Sequence, residues 1–145
     1  MSFTAGGTYR WMSPELLDPE RFGMPQSEGN RPTRQSDCYA LGMVVYEVSA
    51  RVNGCHYRRQ LTRNTQVLCG HRPYVEMQSD ALVINAIVER VRPGKPEGAT
   101  RLGFTQELWR TVELCWLEDR SARPGVEVIL SCLKDATVFW YMKDS

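Results

Sequence analysis

The chain has 145 residues, enough for one domain with a core of its own, and its formal net charge of +1 gives no electrostatic reason to expect nucleic acid or an anionic membrane as a partner. Hydrophobic residues make up 42% and charged residues 24%, the balance of an ordinary globular protein. The five cysteines (Cys38, Cys55, Cys69, Cys115, Cys132) are odd in number and form no C-x-x-C pair, which argues for free thiols in a reducing compartment and against a disulfide framework or a zinc site. No apolar h-region opens the sequence and no stretch approaches a membrane-spanning length, so the expected location is cytoplasmic or nuclear, not secreted.

In chain order, the first readable stretch is "GGTYRWMSPELL" (6–17), where a Gly-Gly turn runs into Thr8 and Trp11, and Ser13-Pro14-Glu15 opens a Leu-Leu pair. A Gly/Pro loop follows over 18–34. "SDCYALGMVVYEVSA" (36–50) reads as a helix with Ser36 as its N-cap and Asp37 in the first turn, where the helix dipole favours an anion. Its apolar residues cover every side, which predicts a helix buried all round. Periodicity alone also leaves "MVVYEV" open to a strand reading. "DALVINAIVERV" (80–91), capped by Asp80, carries an Ile84, Ile87, Val88, Val91 stripe. "TQELWRTVELCW" (105–116), capped by Thr105, carries Leu108, Val112, Cys115 and Trp116. "RPGVEVILSCLKD" (123–135) places Pro124 at the first helical position and lines up Val126, Ile129, Leu130 and Leu133. The connection 92–103 is a Gly/Pro loop, polyproline-like in part.

Four of these stretches carry a resemblance. "GGTYRWMSPELL" resembles the end of a protein-kinase activation segment, with Ser13-Pro14-Glu15 standing for Ala-Pro-Glu. "SDCYALGMVVYEV" is similar to the family's helix F, "GHRPY" (70–74) to the small-x-x-Pro-Phe/Tyr element after it, and "LCWLEDRSARPGVEVI" (114–129) to the region of helices H and I. The Trp11-Met12 and Cys115-Trp116 pairs resemble the tyrosine-kinase-like branch. The resemblance implies a mainly α fold, the lower part of a kinase C-lobe with helices equivalent to EF, F, G, H and I and no N-lobe sheet. It makes 1–145 a partial kinase domain running from the activation-segment end to helix I, with 136–145 as a C-terminal tail.

The same resemblance implies roles residue by residue. Glu15 and Arg123 match the two ends of a buried ion pair, a role suited to a guanidinium fork that takes a carboxylate bidentately. Asp37 matches the helix-F anchor of the catalytic loop, with a plain first-turn anion as the alternative. Thr8, Tyr9, Arg10 and Trp11 match the loop on which a substrate polypeptide lies, with packing or simple exposure as the alternative. Ser2 and Thr4 stand where activation-segment phosphorylation sites occur. His56 and His71 have no acidic or thiol partner at ligand spacing and are read as neither catalytic nor metal-binding.

The sequence lacks the family's phosphotransfer parts: the Gly-rich loop, the strand lysine with its helix glutamate, the catalytic-loop Asp and Asn, and the Asp-Phe-Gly. "RFG" (21–23) follows the Ser-Pro-Glu motif instead of preceding it, and Arg21 cannot ligate a cation. No ATP-binding, metal or catalytic residue is therefore expected; ATP and magnesium belong to the parent family. The expected function is that of a kinase C-lobe fragment, inactive alone, whose parent phosphorylates protein Ser/Thr or Tyr. Its expected partners are a protein substrate or the missing N-terminal kinase portion, not nucleic acid or membrane. The alternative is a non-catalytic, pseudokinase-like interaction module.

Helix F without its usual neighbours favours the fragment. Exposing four large apolar side chains forfeits about 1.5–3 kcal/mol each, a total comparable to the roughly 5–15 kcal/mol stability of a whole domain. The 19 residues 48–66, "VSARVNGCHYRRQLTRNTQ", do not fit this scheme. They are basic, contain no acid and lack a usable apolar period, and their removal joins "VVYE" to "VLCGHRPY" with the family's spacing. Val48-Ser49 and Gln66 are compatible with splice-donor and splice-acceptor codons, so the expectation is a translated intron without order of its own; a basic docking loop is the alternative.

Overall fold

The structure, a computed structural model, describes residues 8–25, 31–53, 72–95 and 104–143, with side chains through 48 in the second stretch and through 136 in the last. Five helices carry the fold: α1 (Pro14–Leu17), α2 (Arg34–Asn53), α3 (Asp80–Val88), α4 (Gln106–Cys115) and α5 (Val126–Lys143). Short 3-10 turns over Thr8–Trp11 and Arg120–Ala122 complete the order. No strand is present among the described residues, so the fold is mainly α and the "MVVYEV" run is helical.

Local chemistry sets the helix limits. α2 begins three residues earlier than expected, at Arg34, because Thr33, not Ser36, caps it. The Thr33 hydroxyl accepts from the Ser36 N–H (3.2 Å), and the Ser36 hydroxyl accepts from the Thr33 N–H (2.8 Å), a reciprocal box that satisfies two orphan donors. α3 ends at Val88, short of the expected 91, in a Schellman stop: Val91 N–H donates to Ala86 O (2.9 Å) and Arg90 N–H to Ile87 O (3.1 Å). Arg90 holds the left-handed position there (φ 66°) in place of glycine. Ser79, not Asp80, is the N-cap residue of α3, leaving Asp80 in its first turn. The Thr105 hydroxyl caps α4 by accepting from Leu108 N–H (3.1 Å). α5 starts at Val126, after Pro124 and Gly125, and runs on to Lys143, so the segment 136–143 belongs to its last turns.

The core joins α2, α3, α4 and α5, with Trp11 of the Thr8–Trp11 turn packed against it. Tyr39, Met43 and Val45 of α2 meet Leu108, Trp109, Val112 and Cys115 of α4, with Trp116 beyond its end. Trp116 sits edge-on to both Trp109 (5.8 Å) and Tyr46 (6.0 Å), and such aromatic pairs add to burial about 0.5–1.5 kcal/mol each. The α4 stripe Leu108, Val112, Cys115 and Trp116 is buried as its spacing predicts.

Three expected faces are corrected. α2 is not buried all round: Val44 is 44% and Val48 54% exposed, because α4 and the 3-10 turns cover only part of its surface. On α3 the buried set is Val83, Ala86, Ile87 and Val88, with Val91 exposed beyond the helix stop. On α5, Val126 and Leu130 are exposed, and the inward face runs through Ile129, Cys132, Leu133 and Ala136. That face keeps the i, i+3, i+4, i+7 period but includes two small or soft residues that carry little apolar signal.

Gly42 lets α2 approach the end of α4 closely. A Cβ at this position would lie 2.7 Å from Cys115 Cβ and 2.9 Å from Trp116 Nε1, both buried. Gly42→Ala is expected to lower stability by about 1–3 kcal/mol through overpacking, against a gain of at most about 1 kcal/mol in helix propensity. Thermal melting followed by circular dichroism checks this; a raised melting temperature would mean that the two helices separate without cost.

Of the segment 48–66, residues 48–53 form the end of α2, and 54–66 lie outside the described residues. No helix among the described residues is long and apolar enough to cross a membrane.

Candidate functional site

Arg123 stands at the junction of three helices and is 7% exposed. Ser13-Pro14 places proline at the first position of α1, which turns Glu15, one residue further on, into the interior. Arg123 Nη1 donates to Glu15 Oε1 (2.6 Å) and Nη2 to Glu15 Oε2 (2.9 Å), a bidentate fork between residues 108 apart in sequence. Two further donors reach backbone carbonyls: Nη1 to Gln35 O (3.1 Å) just inside the start of α2, and Nε to Leu117 O (2.9 Å) just beyond α4. One guanidinium therefore ties α1, α2 and the exit of α4 together. It also lies 5.3 Å from the centre of the Tyr39 ring, and the Arg92 guanidinium lies 5.4 Å from the same ring.

Electrostatics follow from this packing. Burial alone would push the Glu15 carboxyl up, but the hydrogen bonds and charge of Arg123, helped by a backbone donor, hold it below its ordinary value. The fully buried Tyr39 phenol is pushed well above its ordinary range, because desolvation outweighs the two neighbouring arginines. Cys115, at 0% exposure, is pushed up to about 12 by burial, so it is a core thiol and not a nucleophile. Cys38 and Cys132 are also free; Cys38 is raised by burial as well. Among the described residues, no group of three or more His, Cys, Asp or Glu is placed to hold a metal ion.

The stretch Thr8–Trp11 divides by residue. Thr8 is exposed and Tyr9 half-buried. Arg10, expected on a substrate-facing loop, is instead 2% exposed and points inward. Its Nη1 donates to Pro73 O (2.9 Å) and Tyr74 O (2.6 Å), and its Nη2 to Met77 O (2.7 Å). It clamps the Thr8–Trp11 turn to the loop that leads into α3. Three of its five N–H donors are thus spent on backbone carbonyls, and its burial turns the guanidinium away from any polypeptide lying on the surface. Trp11 is half-buried, and its indole N–H donates to Glu47 Oε2 on α2 (3.2 Å).

Tyr74 completes the clamp from the other side. It is 2% exposed, holds a left-handed backbone (φ 56°) and donates its hydroxyl to Val91 O (2.9 Å). A bulky residue in that conformation carries strain that the surrounding contacts must hold. Neither Arg10 nor Tyr74 was singled out by composition or period, since their partners are backbone carbonyls that no side-chain pattern announces.

Asp37 is exposed in the first turn of α2. With Arg34, Leu41, Val126 and Glu127 it borders a cleft of about 710 Å³ between the N-terminal ends of α2 and α5. Ser2, Thr4, His56 and His71 lie outside the described residues.

Comparison with known proteins gives this arrangement a context. No protein-family model matches the chain. It is 29% identical over 136 residues to a light-sensor protein kinase of Ceratodon purpureus, covering 88% of this chain and 8% of that protein. It is 28% identical over 117 residues to TGF-beta receptor type-2 of Gallus gallus, covering 81% and 20%. It is 27% identical over 127 residues to a probable serine/threonine-protein kinase of Dictyostelium discoideum, covering 88% and 6%. The chain thus spans 6–20% of the length of these curated relatives. Over most of its length the chain is kinase-like, its regular structure among the described residues is helical, and it matches only a small part of each kinase, consistent with a C-lobe fragment.

Proposed function

We propose that the chain is the lower part of a protein-kinase C-lobe, from the end of the activation segment to helix I, and that it does not transfer phosphate by itself. The observation that carries this reading is the buried fork between Glu15 of Ser-Pro-Glu and Arg123 of Arg-Pro, in a sequence whose four kinase-like motifs keep the family's order. The Trp11-Met12 and Cys115-Trp116 pairs favour the tyrosine-kinase-like branch. Phosphoryl transfer is almost wholly positioning and electrostatic stabilisation by phosphate-, magnesium- and proton-accepting groups, and the sequence supplies none of the family's motifs for them. ATP-dependent phosphorylation of protein Ser/Thr or Tyr then belongs to a larger parent protein. Under this reading Asp37 anchors, and Thr8 and Tyr9 border, parts that the parent would supply.

The exposed apolar pair Val44 and Val48 on α2 is surface that a further kinase portion would cover. The test is phosphate transfer from labelled ATP to a generic protein substrate. The chain alone should give no signal above an enzyme-free blank, and transfer that scales with its concentration would overturn the proposal.

The segment 48–66 is proposed to be a translated intron. Transcript reads that join Glu47 directly to Val67 are the expected outcome, and codons at Val48 and Gln66 incompatible with splice sites would exclude it.

A further inference from the structure

We draw no further inference here: the strongest candidate, the cleft between the N-terminal ends of α2 and α5 bordered by Asp37, Leu41, Val126 and Glu127, rests on two helix N-termini, and nothing among the described residues shows what would occupy it.

Discussion

Arg123→Ala is expected to remove about 3–5 kcal/mol, which is most of the stability of a domain at the low end of the usual range of about 5–15 kcal/mol. The side chains of the pair are 0% and 4% exposed, so the substitution leaves the Glu15 carboxylate buried without its partner. It also strips the donors from Gln35 O and Leu117 O. Arg123→Lys should recover only part of the loss, because an ammonium cannot form the bidentate fork and reach both carbonyls at once. Equilibrium urea unfolding reads both effects, and a midpoint unchanged in Arg123→Ala would show that the pair contributes nothing.

The same pair sets a pH dependence. The folded-state carboxyl of Glu15 lies below its ordinary value of 4.5, so its contribution is fully present above about that pH. It is lost as pH falls through the lowered folded-state value. Acid unfolding should therefore be shallower in Glu15→Gln than in the unaltered chain from about pH 5 downward, where the usual carboxylate begins to titrate.

Arg10→Met should lower stability by about 3 kcal/mol or more. Unsatisfied buried acceptors cost about 1–3 kcal/mol each, and this substitution keeps the apolar bulk while withdrawing donors from the carbonyls of Pro73, Tyr74 and Met77. A residue that merely faced a substrate would change stability by less than about 0.5 kcal/mol. Denaturant unfolding separates the two outcomes cleanly.

The parts of this architecture that were legible in sequence are those written in side chains. The α4 stripe was readable because four apolar residues fall on one helical face. The relation of Glu15 to Arg123 came from the two motifs around them, since no local period links residues 108 apart. The parts that were not legible depend on the backbone or on surroundings. The Arg10 clamp ends on carbonyls, which every residue possesses. Thr33 and Ser36 both offer a hydroxyl, and only the local chain path decides which of them caps α2. The inward face of α5 passes through Cys132 and Ala136, while more hydrophobic residues, Val126 and Leu130, stay outside. Burial of α2 was overestimated because an apolar surface records what a helix can pack against, not what covers it.

Calorimetric titration of the purified chain with Mg·ATP tests the central claim most directly, once a cooperative thermal transition shows that the sample is folded. The proposal that the phosphate- and magnesium-holding groups belong to a larger parent protein predicts no saturable heat beyond dilution. A saturable, stoichiometric binding isotherm would contradict the account.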